Sequence, residues 1–214
     1  MAEAAMRSRP SNLARQSWSG STGAGPHDRR RQTEPSAVRR VVESNKVYFH
    51  RGEMDIDIII RKAENADILI IVKFLRCMLE EMASASGHRA SADESEWEHF
   101  HESIRPEIKN QDHIFLIARI TKPDLTFVGF LEARIKSRMF AFEPKRVLHI
   151  HSLYVDEAYR RIGVGQALLE SAIEWGKNMG CDEAELSVLV KNSAQSLYEK
   201  LGFRPFEIEM LRKL

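Results

Sequence analysis

From residue 54 onward, apolar residues follow strand spacing and helix spacing in turn. A β-rich run, "MDIDIII", precedes a polar turn, and apolar residues at helical spacing follow over residues 68–82. A weaker helical stripe covers residues 97–108, and two further β-rich runs follow it, "HIFLIARI" and "FVGFLEARI". These patterns predict a strand, two helices and then an antiparallel pair of strands.

The second half of the chain predicts alternating strands and helices. "VLHIHSLYV" has strand character, and it leads into an amphipathic helix that ends at Gly180. "AELSVLV" predicts another strand, "NSAQSLYEKLG" a short helix, and "FRPFEIEMLRKL" a final strand. The predicted order is therefore β-α-α-β-β-β-α-β-α-β, which indicates a mixed α/β domain of the α+β type.

The N-terminal quarter differs from the rest in composition. The first 50 residues carry nine Lys/Arg and four Asp/Glu, in a chain of 214 residues with 32 basic and 31 acidic residues. This stretch has no apolar period, so we expect residues 1–53 to form a disordered basic extension and residues 54–214 to form the folded domain. A basic arm, an organelle transit peptide and sequence translated upstream of a true start at Met54 are the alternatives, and we favour the third.

Several classes of protein do not fit the composition. No apolar run approaches the roughly 18 residues that a membrane-spanning helix needs. The two cysteines, Cys77 and Cys181, have neither a disulfide framework nor metal-ligand spacing. We therefore expect a cytoplasmic protein without membrane or metal, and its balanced charge does not favour a nucleic-acid partner. A homodimer is left open.

The stretch "RRIGVG" places two glycines at a strand-to-helix turn. A dinucleotide-binding fingerprint would need glycine where Leu168 stands, and a P-loop would need lysine where Gln166 follows Gly165. A helix N-terminus with nearby glycines can still bind an anion such as pyrophosphate, beside the positive charges of Arg160 and Arg161. A tight turn with solvent-facing arginines is the alternative.

Two segments, "SLYVDEAYRRIGVGQALLESAIEWGKNMG" and "ELSVLVKNSAQSLYEKLGF", resemble the GNAT superfamily of acyl-CoA-dependent N-acetyltransferases. The family's [RQ]-x-x-G-x-[GA] turn falls on Arg160, Gly163 and Gly165. The resemblance is strong from about residue 148 onward, extends to residue 54 by element order and is absent from residues 1–53. The family's second signature is approximated by Asn192, Ala194, Leu197, Tyr198, Lys200 or Leu201, Gly202 and Phe203.

The resemblance implies a GNAT fold and acetyl-CoA as co-substrate. In that fold a central, mostly antiparallel sheet is flanked by about four helices and splays apart at the cofactor slot. The backbone N–H groups of residues 161–166 would bind the pyrophosphate, and residues 153–155 would pair with the pantetheine arm like an added strand. The implied cofactor-binding residues are Leu153, Tyr154, Val155, Arg160, Arg161, Ile162, Gly163, Val164, Gly165, Gln166 and Asn192.

The resemblance also implies a reacting centre. Tyr198 takes the position of the family's general acid, and His151 takes the place of a strand glutamate that serves as base in many relatives. An imidazole with an ordinary pKa of about 6.5 suits this task at neutral pH. His149 and Glu132 are alternative bases. A buried aromatic residue and satisfied strand histidines are the structural alternatives for these side chains.

These features predict an N-acetyltransferase that moves an acetyl group from acetyl-CoA to a primary amine of a small molecule or peptide. A non-catalytic acyl-CoA-binding sensor or scaffold is the main alternative, and a protein that binds nucleic acid through its basic arm is a third. The acidic residues of the second helix would favour a cationic amine if they face the cleft, but a solvated helix face is the other interpretation. They are Asp93, Glu94, Glu96, Glu98 and Glu102.

Overall fold

A computed structural model describes residues 39–43, 46–51, 54–88, 91–121, 125–138, 141, 143–144 and 146–212. Residues 36–214 form one compact unit. Residues 1–38 of the predicted extension lie outside the described residues. The strands are β1 (Arg39–Glu43), β2 (Lys46–Arg51), β3 (Met54–Lys62), β4 (His113–Ile120), β5 (Thr126–Ser137), β6 (Arg146–Val155) and β7 (Glu183–Leu186). The helices are α1 (Ile68–Ser86), α2 (Glu94–Lys109), α3 (Val164–Asn178) and α4 (Gln195–Lys200).

The seven strands within the described residues form one sheet in chain order. Neighbouring strands are antiparallel except β6 and β7, which are parallel because α3 connects them. The predicted element order is confirmed from β3 to α4, and so is the mixed α/β class with a mostly antiparallel sheet.

The first two strands lie inside the segment that was expected to be disordered. β1 pairs with β2, and β2 pairs with β3, so the sheet begins before residue 54. The runs "RRVVE" and "KVYFHR" are rich in β-branched and aromatic residues, which suit a sheet although they are flanked by charges. The expected boundary at residue 53 is therefore wrong for residues 39–51.

The predicted final strand is absent, since residues 203–212 form neither helix nor strand. The apolar side chains of Phe206, Ile208 and Met210 are 80%, 85% and 91% exposed. Pro205 lacks the N–H that a ladder needs, and the adjacent edge strand β7 has only four residues. The alternating pattern alone was not enough to form a strand here.

The sheet separates two apolar cores. On one face α3 packs Leu168, Leu169 and Ala172 against strand residues such as Leu131 and Leu148. On the other face α1 and α2 cover strand side chains with residues that include Ile71, Phe74 and Ile104. The described helices include none that is long and apolar enough to cross a bilayer.

The sheet opens between β6 and β7. β7 pairs only with the first half of β6, from Val147 to Ile150, so residues 151–155 have no strand on that side. This confirms the predicted splay. The same part of β6 contains a bulge, because Ser152 lies opposite Glu132 while Ile150 lies opposite Ala133. His151 is thus the extra residue of the ladder.

Candidate active site

The glycine turn forms a row of unpaired donors at the start of α3. Arg161 and Gly163 have positive φ angles of 63° and 98°, and Gly163 is the residue before the helix. Ile162 and Val164 bury their side chains in the core and hold the turn in place. Within the described residues, none of the backbone N–H groups of 161–166 donates a hydrogen bond to the protein. Such a concave row of N–H groups binds anions.

Gly165 is not required by the fold itself. A Cβ placed there would lie 3.5 Å from Cδ2 of Leu197 and 3.7 Å from Cγ2 of Val155, which are ordinary van der Waals distances. Its φ is not in the left-handed region that favours glycine, unlike that of Gly163. A bare backbone at Gly165 therefore suits the close approach of a ligand. The same distances show that the turn, the end of β6 and α4 meet at this point.

Arg160 holds the turn against its neighbours. Its Nη2 donates to both carboxylate oxygens of Glu81 on α1, at 2.6 and 2.9 Å. Its Nε donates to the carbonyl of Val155 at 2.7 Å, and its guanidinium lies 5.5 Å from the centre of the Tyr154 ring. Glu81 neutralises this arginine, so it positions the turn rather than presenting a free charge. Arg161, by contrast, is exposed.

The end of β6 offers its backbone to a ligand. Leu153 pairs with Leu131 of β5, and the opposite edge faces the opening of the sheet. The Tyr154 ring packs against Phe74 at 5.6 Å, and burial raises the pKa of its phenol to about 12. That side chain belongs to the core. Residues 153–155 can therefore contribute the main-chain groups of an unpaired strand edge.

Tyr198 lies on α4, packed against the core beside Leu197. Its ring meets Phe203 edge-on at 6.1 Å. Burial raises the pKa of the phenol, so the group keeps its proton at neutral pH. Asn192 accepts a hydrogen bond from the Ala194 N–H at 2.9 Å and shapes the turn before the helix. Asn192 is exposed, and its side-chain oxygen is bound within its own turn.

The two histidines of β6 have different surroundings. His149 Nδ1 lies 3.1 Å from Oε1 of Glu185, and its pKa is lowered, first by burial and then by Lys136. His151, at the bulge, is exposed, and the two rings lie 5.9 Å apart. The bulge turns His151 towards solvent while the rest of the strand remains paired. His151 is thus the more accessible of the two imidazoles.

Behind the bulge is a polar cluster that the sequence did not reveal. His113 Nε2 lies 3.1 Å from Glu132 Oε1, and its Nδ1 lies 2.9 Å from Glu107 Oε2. The Ser152 hydroxyl donates to Glu132 Oε2 at 3.0 Å. The alternation of side chains along β4 and β5 decides whether His113 and Glu132 lie on the same face of the sheet. Predicting that contact requires the register of β4 against β5, which the sequence does not give.

Three acidic residues of α2 line a cavity of about 470 Å³ beside α1; they are Glu94, Glu98 and Glu102. Asp93 and Glu96 form a capping box at the start of the helix, which stabilises its first turn. Glu94 pairs with Arg76 at 2.9 Å, and Glu102 lies 3.5 Å from Arg105. Among the described residues, no group of three or more His, Cys, Asp or Glu side chains could hold a metal ion.

A strand edge open on one side, next to a helix N-terminus with unpaired donors, is an arrangement that suits an extended ligand ending in phosphate groups. The family model of the acetyltransferase (GNAT) family matches residues 76–203, and the chain belongs to that family. Enzymes of this family use acetyl-CoA as co-substrate.

The relatives agree with this placement. The chain is 34% identical over 111 residues to an N-alpha-acetyltransferase of Sulfurisphaera tokodaii, which is 49% of this chain and 64% of the relative. It is 40% identical over 91 residues to a glucosamine 6-phosphate N-acetyltransferase of Trypanosoma brucei, covering 42% of this chain and 58% of that protein. The chain therefore spans less than two thirds of either curated relative.

One of the similar solved structures is a predicted acetyltransferase from Clostridium acetobutylicum with acetyl-CoA. It has a TM-score of 0.60 and 15% identity, and the match covers 73% of this chain and 96% of that chain. At this identity the likeness supports the fold.

Proposed function

We propose that this protein is an acetyl-CoA-dependent N-acetyltransferase that acetylates a primary amine by direct attack on the thioester. The observation that carries the proposal is the unpaired N–H row of residues 161–166 beside the open edge of β6. The N–H row would bind the pyrophosphate, and residues 153–155 would pair with the amide groups of pantetheine. This arrangement points the thioester end along β6 towards the bulge.

The proposed chemistry needs one base and one acid. His151 takes one proton from the substrate ammonium, and the neutral amine then attacks the thioester carbonyl. Tyr198 donates its proton to the departing sulfur and recovers a proton from the new amide nitrogen. The products are the acetylated amine, CoA with a free thiol, and one proton that His151 releases to water. The exposure of His151 and the raised pKa of Tyr198 fit these roles.

We take an apolar cavity beside α1 as the acceptor site of this proposal. A cavity of about 380 Å³ lies between α1, the segment that leads into α2, and the residues after β7. Its apolar lining includes Leu79, Met82, Trp97 and Leu189. A cavity of this kind favours an amine that carries an alkyl or aryl group over a sugar amine. A panel containing both kinds of amine tests this preference.

Substitution of Gly165 tests the cofactor site. Gly165→Val should abolish the thermal stabilisation by acetyl-CoA, because its methyl groups fill the space that the phosphates need. In the unsubstituted protein that stabilisation should reach about 2.7 kcal/mol at a concentration 100 times Kd. Gly165→Ala is the matched control, since an alanine Cβ makes only ordinary contacts there. A thermal shift in Gly165→Val as large as that of the unsubstituted protein would remove the turn from the cofactor site.

Measuring the release of free thiol distinguishes an acetyltransferase from a non-catalytic acyl-CoA-binding module. The full chain is incubated with acetyl-CoA and the amine panel, and the CoA thiol is followed over time. Thiol release that depends on an amine supports the acetyltransferase. Binding of acetyl-CoA without such release from any amine in the panel would instead indicate an acyl-CoA-binding sensor or scaffold.

A further inference from the structure

The segment between β7 and α4 forms part of the wall of the apolar cavity but has little apolar packing of its own. Leu189 lines that cavity together with Leu79 and Met82 of α1. None of residues 187–193 is fully buried, and Val190 is 88% exposed. Burial of side chains therefore does little to hold this segment, and its position depends on hydrogen bonds to its backbone.

The side-chain amide of Gln195 supplies two of those hydrogen bonds. Its Nε2 donates to the carbonyl of Leu189 at 3.3 Å and to the carbonyl of Val190 at 3.0 Å. Both partners only accept hydrogen bonds, so the amide presents its nitrogen to them, and its two hydrogens can serve both carbonyls at once. Two consecutive peptide groups at the cavity wall are thus held by one side chain.

The same residue begins the helix that carries the proposed acid. Gln195 is the first residue of α4, and Tyr198 follows three residues later on the same side of the helix. Leu197 and Tyr198 pack α4 against the core beside α3. Gln195 therefore connects a segment without buried residues to a helix that is anchored in the core.

We propose that Gln195 is a positioning residue for the acceptor, which holds Leu189 in the cavity wall and so determines how well the apolar part of the amine fits. The inference rests on the proposed function and on the cavity as its acceptor site. Gln195 acts through the backbone of residues 189–190 and touches neither the amine nor acetyl-CoA. Loss of its amide should loosen this wall and leave the N–H row of residues 161–166 unchanged.

Amide hydrogen exchange of the full chain tests the contact without any substrate. The Asn192 N–H donates to the Leu189 carbonyl at 2.9 Å and reports on the same segment. Its exchange should be about fivefold faster in Gln195→Met, because methionine has a similar length but no N–H to donate. Gln195→Glu, which also lacks the N–H donors, should act in the same direction. Gln111→Met, the same change at an exposed turn residue before β4, is the matched control and should have no effect.

Straight-chain alkylamines from ethylamine to hexylamine test the effect on substrate choice. In the unsubstituted protein, each methylene that enters the cavity should raise kcat/KM by up to about fourfold. In Gln195→Met this increase should be reduced through a higher KM for the longer amines. The kcat values, the turnover of ethylamine and the affinity for acetyl-CoA should remain, because the loosened wall affects only the fit of the alkyl chain.

Three results would overturn the proposal. They are unchanged exchange of the Asn192 N–H in both Gln195 variants, an equal dependence on chain length in Gln195→Met and the unsubstituted protein, and a kcat that falls alike for every amine. The last would mean that Gln195 acts on α4 and Tyr198 instead of the cavity wall. Faster exchange in a protein that acetylates no amine would uphold the contact between Gln195 and the wall and contradict only the proposed function.

Discussion

The phenol of Tyr198 is a single group whose role can be separated from packing. Its ring contacts the core and Phe203, and a phenylalanine would keep both contacts. The hydroxyl is what a general acid requires, and burial raises its pKa. Replacing Tyr198 by phenylalanine therefore removes only the hydroxyl and tests its chemical role while the packing of the ring is kept.

Tyr198→Phe should lower kcat by about 100-fold, since a general acid or base typically contributes at least that factor. The affinity for acetyl-CoA should remain, because the N–H row is untouched. Steady-state kinetics and calorimetric binding measure the two quantities. Tyr159→Phe, at the turn before Arg160, is the matched control and should leave kcat unchanged. Full activity in Tyr198→Phe would remove this tyrosine from the proposed mechanism.

At the scale of elements, the position of α3 on the sheet depends on one close approach. A Cβ on Gly176 would lie 2.9 Å from Cδ2 of Leu148 on β6, and Leu148 is almost fully buried. The helix therefore sits closer to the strand than any side chain at position 176 would permit.

Gly176→Val should destabilise the protein by about 1–3 kcal/mol, because Leu148 cannot move away inside a filled core. Urea unfolding measures the loss. Lys177→Val introduces the same side chain at the exposed neighbouring position and should cost less than about 1 kcal/mol. Equal costs for the two variants would mean that helix propensity, rather than packing, decides the effect.

Spacing in the sequence predicted the order of elements from β3 to α4, and the family resemblance implied the opening beside β6. Those features follow from local periodicity and from two motifs near Arg160 and Tyr198. The bulge at His151 and the contact between His113 and Glu132 were not predictable, because both depend on the register between neighbouring strands. For residues 203–212 the prediction failed for a different reason. The alternating apolar pattern is present, but none of the described strands pairs with this segment.

At the scale of the whole molecule, the buried pair of His113 and Glu132 links the stability of the fold to pH. His113 has a raised pKa, so its contribution is complete below its ordinary value of 6.5 and is lost as the pH rises through the folded value. Glu132 has a lowered pKa, so its contribution is complete above 4.5 and is lost as the pH falls through the folded value. The pair therefore stabilises the fold most between about pH 4.5 and 6.5.

The melting temperature should accordingly fall as the pH rises from 6.5 through the folded pKa of His113. His113→Asn removes the titrating group, so the variant should be less stable at pH 6 and should show a flatter dependence above it. Calorimetry across this range measures both slopes. His99→Asn, on the exposed face of α2, is the control and should keep the slope of the unsubstituted protein. Parallel slopes in the His113 variant and the unsubstituted protein would contradict the linkage.

The extra residue at position 151 also bears on how this chain can change by deletion. Loss of that one residue would bring Ser152 and Ile150 next to each other, opposite Glu132 and Ala133, and would complete a regular ladder. The proposed base would disappear while the sheet, the glycine turn and the strand edge remained. If the proposed roles hold, a single in-frame codon deletion converts this acetyltransferase into a folded protein that keeps its proposed CoA site but lacks its base.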